Sequence, residues 1–352
     1  MIETPAALAA LAARIAAAER IGVDTEADSM HCYREKVCLV QIGLPGADEL
    51  VDPLAGLDLA PLLEALAATE MVMHGADFDL RMLYRLGLGA PRAVVDTMIA
   101  ARLTGAAKYG YAALVAEHFE VALPKGLQTA NWARRPLAPK LAEYARNDTH
   151  YLLRLAERLE RRLEELGRRE WLAQSCRRVV AAARVIRERD PETEWRVKGS
   201  YTLEPRAGAI LRALWHWRED EARAADRPPF HVMSNADLVD AAQRLGRGER
   251  VSPRALRGTR RAHFSQAADA ALALDRAEWP KRPVGKARVR LTGSQDKHVA
   301  ALRQRRDRAA KDLAIDADLI APRAALERIA TEGDDGLDAL LPWQQALIGR
   351  PD

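Results

Sequence analysis

The chain has 352 residues, of which 48% are hydrophobic and 30% charged, so it can bury a large core and is long enough for two or three domains. Its net charge of +4 permits a polyanionic partner without requiring one, because the excess is spread over many residues. No apolar run approaches the roughly 20 residues of a membrane span, and the start of the chain lacks the pattern of a signal peptide. Three cysteines without a CxxC pair indicate neither a disulfide framework nor a zinc site, so we expect a cytoplasmic protein.

The first part of the chain alternates apolar runs with helical patterns. Residues 21–23, 37–42 and 71–74 are predicted to be strands, and residues 49–51 are a weaker candidate. From about residue 92 to residue 165 the strand signals stop, and apolar residues recur with the spacing of helices. Strands followed by helices indicate one α/β or α+β domain, with a sheet flanked by helices.

The rest of the chain has helical patterns interrupted by two basic, polar stretches. We interpret residues 191–203 and 279–293 as linkers, so the predicted domains are residues 1–190, 204–278 and 294–352. A shift of 88 residues aligns the second and third of these domains, which suggests an internal repeat of two small helical modules. The aligned pairs are Leu214 with Leu302, Arg218 with Arg306, Ala222 with Ala310 and Leu238 with Leu326.

Two carboxylates follow the first apolar run. Asp24 and Glu26 are two residues apart on a predicted strand, so both project from the same face. There they repel each other unless a cation lies between them. Alone, this spacing is weak evidence for a cation site, because Asp190 and Glu192 have the same spacing in a stretch that resembles a linker.

Two further acidic segments give the first pair its meaning. Asp77 and Asp79 would lie in the first turn of a helix, where they either favour the helix dipole or complete an anionic cluster. Tyr144 and Asp148 are four residues apart and share a helix face. Carboxylates that converge from separate elements can hold Mg²⁺ ions for phosphodiester hydrolysis, and a phenol beside them can hold the attacking water.

The order D-x-E, H-x4-D-L, Y-x3-D resembles the DEDD superfamily of 3′→5′ exonucleases, in its tyrosine-bearing branch. Within that superfamily the chain is similar to the ribonuclease D family over nearly its whole length. The resemblance implies an RNase H-like exonuclease domain with a mixed sheet, followed by all-helical HRDC modules, of which the second is divergent. It implies two bound Mg²⁺ or Mn²⁺ ions and a catalytic set of four metal ligands and a tyrosine that orients water: Asp24, Glu26, Asp79, Asp148 and Tyr144. Asp79 is preferred to Asp77 because it precedes Leu80, as the family pattern requires.

Residues near these motifs are candidates for contact with a single-stranded RNA end. As substrate-binding residues we predict Thr25, His74, Lys125, Gln128, Trp132 and Arg135. Three alternatives stay open: Trp132 as a core residue, His74 as a buried histidine with its hydrogen bonds satisfied, and Thr25 as a residue that offers only its backbone. Basic residues at 254–264 and 281–290 suggest loose phosphate contacts, or else a solvated face.

The sequence therefore predicts a metal-dependent 3′→5′ exoribonuclease that releases nucleoside 5′-monophosphates. We expect it to trim 3′ ends of structured RNA, with precursor tRNA as the favoured substrate among other 3′-extended RNAs. We also expect a monomer without a membrane partner. Two alternatives are a non-catalytic RNA-binding protein on an exonuclease fold, against which the intact acidic set argues, and a DNA-directed 3′ exonuclease.

Overall fold

The structure is a computed structural model that describes residues 1–124, 126–185, 190–253, 255–281 and 291–349. By its internal contacts the chain divides into two compact units. The first unit comprises residues 1–27, 37–186 and 290–352, and the second comprises residues 28–36 and 187–289. Within the described ranges, no helix is both long and apolar enough to cross a membrane.

One mixed sheet forms the centre of the first unit within the described residues. In the spatial order β3-β2-β1-β4-β5, its strands are β1 (Arg20–Ala27), β2 (Val37–Leu44), β3 (Ala47–Val51), β4 (Glu70–Met73) and β5 (Ala93–Asp96). Strand β1 pairs antiparallel with β2 and parallel with β4, so it lies in the middle of the sheet. The strands predicted from the four apolar runs are confirmed.

Strand β5 shows that one prediction was wrong, because a strand does follow residue 92. This strand has four residues and pairs parallel with β4 at the edge of the sheet. Only Val94 and Val95 carry an apolar signal, which is too short to show a period of two. The next helix begins directly after Asp96, so the helical pattern hides the strand.

Helices pack on both faces of the sheet. Those that precede the second unit are α1 (Pro5–Ala16), α2 (Ala60–Ala68), α3 (Asp77–Leu86), α4 (Thr97–Thr104), α5 (Tyr111–Phe119), α6 (Pro139–His150), α7 (Leu152–Glu165) and α8 (Arg169–Ala183). Strand β4 shows the division between the faces, since Met71 and Met73 pack with α1, α2 and α3 whereas Val72 packs with α4 and α7.

A pair of glycines lets the end of α6 approach the sheet closely. Gly22 of β1 lies opposite Gly43 of β2 in the antiparallel register. A Cβ atom on Gly43 would lie 2.9 Å from the carbonyl oxygen of Thr149, and one on Gly22 would lie 3.3 Å from the same oxygen. Any larger residue would therefore push away the helix that carries Asp148.

The second unit is helical in its described residues. Its helices are α9 (Pro191–Glu194), α10 (Pro205–Ala224), α11 (Pro229–Val232), α12 (Asn235–Gly246) and α13 (Gly258–Leu272). Leu214 and Trp217 of α10, Leu238 of α12 and Phe264 of α13 form the centre of its core. Tyr33, from the segment that joins β1 to β2, packs against this core.

The C-terminal helices return to the first unit. They are α14 (Gly293–Leu313), α15 (Ala317–Ile320), α16 (Arg323–Glu332), α17 (Asp334–Asp338) and α18 (Pro342–Ile348). Trp343 of α18 stacks on Trp171 of α8, with ring centroids 4.8 Å apart and planes at 13°. The buried Arg168 guanidinium donates to the carbonyl oxygens of Leu103 and Leu313 at 2.7 and 2.8 Å. The domain predicted at residues 294–352 therefore shares a core with the first unit.

The internal repeat with a shift of 88 residues is confirmed. Helices α10 and α14, α11 and α15, and α12 and α16 start at positions related by this shift. A buried arginine makes the same bond in both modules: Arg218 Nη1 donates to the carbonyl oxygen of Met233 at 3.3 Å, and Arg306 Nη1 to that of Ala321 at 2.9 Å. The two modules are therefore built alike, although they pack in different units.

The Trp343→Ala substitution tests the shared core. It should destabilise the first unit by about 3–5 kcal/mol, because it removes a stacked indole from a buried position. Calorimetric unfolding measures this change. Phe230→Ala, at a side chain that is 47% exposed, is the control and should change stability by less than about 0.5 kcal/mol. A Trp343→Ala variant with wild-type stability would contradict the shared core.

The Gly43→Ala substitution tests the close approach of α6. We expect a loss of about 1–3 kcal/mol, because the new methyl group meets the backbone of Thr149 and the helix must move. Thermal unfolding by circular dichroism gives the loss. Gly110→Ala is the matched control, since a Cβ atom there has no neighbour within 4 Å in the described ranges. Equal effects of the two substitutions would show that the glycine pair is not needed.

Candidate active site

Three of the predicted metal ligands converge near the end of β1. Asp24 and Glu26 project from the same face of the strand as Gly22, towards α6. Asp148 of α6 reaches them because Gly22 and Gly43 let the end of this helix lie against the sheet. One carboxylate oxygen each from Asp24, Glu26 and Asp148 lies within 4.8 Å of the other two. Two distant segments thus form one acidic group.

Asp79 lies beside this group, in the first turn of α3. Its Oδ1 accepts hydrogen bonds from Thr25 Oγ1 at 2.6 Å and from the Thr25 backbone N–H at 3.1 Å. Asp77 is exposed and pairs with Arg81 on the helix surface at 2.9 Å. Of the two candidates in this motif, the structure thus places Asp79 next to the other carboxylates and Asp77 away from them.

The turn that leads into α3 is held by Asp96 at the end of β5. The buried carboxylate of Asp96 accepts four backbone N–H groups at 2.8 to 3.2 Å, from Gly75, Ala76, Met98 and Ile99. It therefore caps α4 and also fixes the residues before α3, which has no side-chain cap of its own. The position of Asp79 follows from this clamp.

Burial, followed by repulsion from neighbouring charges, raises the pKa values of these acids. The pKa of Asp24 lies well above its usual value through burial and the charges of Asp79, Asp148 and Glu26. The pKa of Glu26 rises to about 9 through burial and the charges of Asp148 and Asp79. Burial and the charge of Asp79 raise the pKa of Asp148 to about 7. Burial raises the pKa of Asp79 to about 6 against the effect of its hydrogen bonds from Thr25. A nearby cation would stabilise the ionised form of these acids, and this stabilisation is largest where ionisation is otherwise unfavourable.

The donor set suits a hard divalent cation. Mg²⁺ and Mn²⁺ prefer carboxylate oxygens, and Mg²⁺ keeps several water molecules. Gln41 of β2 lies opposite Asp24 and donates from Nε2 to Asp24 Oδ2 at 3.0 Å. The buried Oε1 of the same amide has no hydrogen-bond partner among the residues that the structure describes. This amide oxygen could accept a hydrogen bond from a water molecule bound to a cation at the carboxylates.

Tyr144 lies one turn before Asp148 on α6, with 7% of its surface exposed. Its ring packs against Trp132, with centroids 6.1 Å apart, and its hydroxyl is hydrogen-bonded to the Gln128 side chain. Burial, then the charges of Asp148, Glu26 and Asp24, raise the pKa of Tyr144. The phenol therefore keeps its proton, so it can orient a water molecule but cannot act as a base.

Trp132 and Arg135 require a correction, because both side chains are used inside the protein. The Trp132 ring is 0% exposed, so it offers no face on which a base could stack. Arg135 directs two N–H groups to the Asp52 carboxylate and the others to the carbonyl oxygens of Cys38, Trp132 and Arg134. A guanidinium whose five donors are occupied has none left for a phosphate.

The other predicted substrate contacts have mixed surroundings. His74 is half-buried, with Nδ1 2.9 Å from Thr97 Oγ1 and its ring against Tyr111, and burial lowers its pKa. This environment favours the alternative of a satisfied histidine. Thr25 turns its hydroxyl to Asp79, whereas Gln128 is exposed beside Tyr144. Lys125 lies outside the described residues.

The residues that hold the acids in place could not be predicted from the sequence. Gln41 bonds to Asp24, and the Tyr111 hydroxyl donates to the carbonyl oxygen of Asn147 and accepts from the Tyr151 N–H, where α6 ends and α7 begins. These contacts depend on strand register and helix packing. The spacing of residues within a single segment therefore does not indicate these contacts.

Known protein families match two parts of this chain. A model of the 3′-5′ exonuclease family matches residues 1–164, and a model of the HRDC domain matches residues 207–249. Ribonuclease D of Xanthomonas oryzae pv. oryzae is 38% identical over 223 residues, which cover 61% of this chain and 60% of that protein. Ribonuclease D of Zymomonas mobilis is 30% identical over 365 aligned positions, which cover 99% of this chain and 92% of that protein.

A solved structure shares the fold. The crystal structure of Escherichia coli RNase D aligns with a TM-score of 0.71 and 24% identity, over 97% of this chain and 91% of that one. The exonuclease fold with a helical HRDC domain is thus confirmed. Relatives that align along almost the whole chain, together with the two matched domains, show that the chain belongs to the ribonuclease D family of 3′→5′ exoribonucleases.

Proposed function

We propose that this protein trims the 3′ ends of structured RNA in the cytoplasm, with precursor tRNA as the favoured substrate. The observation that carries the proposal is the convergence of Asp24, Glu26 and Asp148 within 4.8 Å, with Asp79 and Tyr144 beside them. The choice of structured RNA is supported by the E. coli relative, which is described as an exoribonuclease involved in structured RNA processing. Cys32, Cys38 and Cys176 are buried and form no disulfide bond, which is consistent with a reducing cytoplasm.

The four acids are the proposed ligands of two divalent cations, Mg²⁺ or Mn²⁺. Their raised pKa values support this assignment, as does Gln41 Oε1, a buried acceptor that no described residue uses. When bound, such cations supply the positive charge that stabilises the oxygens of a phosphodiester during hydrolysis. The protein contributes the fixed positions of the acids, through Thr25 for Asp79 and Gln41 for Asp24.

Tyr144 orients the water that attacks the terminal phosphorus. Its hydroxyl stays protonated, is held by Gln128, and lies on the same helix face as Asp148. The bond from phosphorus to the 3′ oxygen of the preceding nucleotide breaks, and that oxygen takes up a proton. The terminal nucleotide then leaves with its phosphate on the 5′ oxygen. We retain Gln128, the Thr25 backbone and Lys125 as proposed contacts of the terminal nucleotides.

The helical module of the second unit is proposed to extend the contact with RNA. In the predicted basic stretch, Arg260 pairs with Glu221 at 3.2 Å and Arg261 donates to the carbonyl oxygen of Leu256. The side chain of Arg257 is exposed and makes no hydrogen bond or ion pair within the described part of the chain, and the same is true of the Arg247 side chain. These two arginines remain available for phosphates.

The Asp148→Asn substitution tests the proposed site. We expect release of mononucleotides from a 3′-labelled RNA to fall by about 100-fold or more, because a metal ligand is lost without a change of volume. In EDTA the melting temperature of this variant should not fall, since a repelling charge has been removed. The assay is run with Mg²⁺, with EDTA, and with a DNA strand of the same sequence.

The matched control comes from the second motif. Asp77→Asn should retain most of its activity, because Asp77 only pairs with Arg81, whereas Asp79→Asn should behave like Asp148→Asn. An active Asp148→Asn enzyme with unchanged metal dependence would refute the site. Wild-type protein that releases no mononucleotides, or releases them in EDTA, would refute the function, and a preference for DNA would refute the substrate class.

The Arg247→Ala/Arg257→Ala double variant tests the RNA contact of the helical module. Affinity for a long RNA should fall, and the slope of log K against log salt should become shallower by about 0.7 per arginine. Cleavage of a short oligomer should be unchanged. Filter binding at several salt concentrations gives the slope. Equal losses on long and short substrates would place the effect elsewhere.

A further inference from the structure

The nine residues that join β1 to β2 belong to the second unit, although both strands lie in the first. They are residues 28–36, and they follow Glu26 by one intervening residue. The central sheet is therefore connected to the helical module through the strand that carries two of the acids. This connection is separate from the later crossings of the chain near residues 187 and 290.

Tyr33 anchors this segment on α10 and its end. The Tyr33 hydroxyl donates to Glu219 Oε2 at 3.1 Å, and its backbone N–H donates to Asp226 Oδ1 at 3.2 Å. Its ring packs against the core of the module and lies under the Arg223 guanidinium at 5.5 Å. Lys36 also pairs with Asp226, at 3.4 Å. The anchor thus combines apolar packing, a buried acceptor and two contacts to one carboxylate.

The segment is internally braced, so the anchor fixes both of its ends. The buried carboxylate of Asp28 accepts from the Lys36 N–H at 2.8 Å and from Cys32 Sγ at 2.9 Å. The Asp28 N–H bonds to the carbonyl oxygen of Lys36, which closes the base of the loop. Cys32 Sγ also lies 2.9 Å from the carbonyl oxygen of Arg34. Because of these internal hydrogen bonds the loop is stiffer than a flexible linker, so a displacement of Tyr33 would also displace the end of β1.

The strand is irregular where it meets this loop. Glu26 lies opposite Leu39, but Ala27 lies opposite Val37, so the register shifts by one residue between Glu26 and Ala27. Such a bulge changes the direction of a neighbouring side chain and leaves the ladder locally disrupted. The direction of Glu26 therefore depends on how the chain is held just beyond it.

We propose that Tyr33 is a positioning residue for Glu26, so that the helical module helps to set the cation affinity of the acidic group. The inference rests on the proposed function and extends it. The helical module would influence the acidic group through the covalent connection at residues 28–36, and not only by binding RNA. The contacts described for Tyr33 are with the helical module and not with the four acids. It acts by fixing the loop, which fixes the bulge and so holds Glu26 beside Asp148.

The test uses the full chain with the substitutions Tyr33→Ala and Tyr33→Phe. Tyr33→Ala should raise the Mn²⁺ dissociation constant by about tenfold, which is the usual effect of losing support for a metal ligand. Electron paramagnetic resonance of free Mn²⁺ measures it. Tyr33→Phe should restore most of the affinity, because its ring can still pack on the module. Tyr201→Ala, at a tyrosine that is 62% exposed in the same unit, is the matched control and should bind as the wild type does.

A second measurement needs no metal. In EDTA, amide hydrogen exchange of the β1 peptide should become faster in Tyr33→Ala near Glu26, whereas the Asp148 peptide should stay unchanged. If Tyr33→Ala does not fold, Asp226→Asn replaces it, since this exposed residue holds both Tyr33 and Lys36. It should also weaken Mn²⁺ binding.

The outcomes separate the two hypotheses. Wild-type protein that binds Mn²⁺ and releases mononucleotides, together with a folded Tyr33→Ala variant of wild-type affinity and exchange, would overturn this inference alone. Unchanged Mn²⁺ affinity in Asp226→Asn would overturn it as well. Wild-type protein without metal binding would instead overturn the proposed function.

Discussion

The mutual repulsion of three partly buried carboxylates is the constraint on which the first unit depends. Asp24, Glu26 and Asp148 are brought within 4.8 Å, and burial together with neighbouring charges makes each of them hard to ionise. The surrounding structure keeps the acids together despite this cost: two glycines admit α6, an amide bonds to Asp24, and Asp96 clamps the turn before Asp79. The protein itself therefore holds these carboxylates in a group that suits a divalent cation.

Much of the site could be predicted because its signals are local. Asp24 with Glu26, and Tyr144 with Asp148, share faces through the periods of a strand and a helix. Arg135 shows what the sequence could not reveal, since its partner Asp52 is 83 residues away and a basic residue near a site looks the same whether free or paired. Strand β5 was missed because two valines carry no period, and the glycine pair was missed because only the register makes it a pair.

The two helical modules show how one design serves two positions. In both, a residue within two positions of the end of the first long helix has a positive φ, 42° at Asp226 and 53° at Ala314, and these positions are again 88 apart. Asp226 accepts the Tyr33 N–H, and the carbonyl oxygen of Leu313, beside Ala314, accepts Arg168. The same corner of each module therefore binds a segment from elsewhere in the chain, one from a loop and one from the start of a helix.

The shared core of α8 and α18 has a consequence for biosynthesis. The first unit contains residues that precede and residues that follow the second unit in the sequence, so a ribosome that has synthesised the sheet and α8 has not yet synthesised Trp343. Until the last helices emerge, Trp171 and the apolar residues around it lack their partner surface. A nascent or prematurely terminated chain would therefore present exposed apolar surface to chaperones and proteases. In this protein the core of the first unit is therefore completed only after the whole second unit has been synthesised.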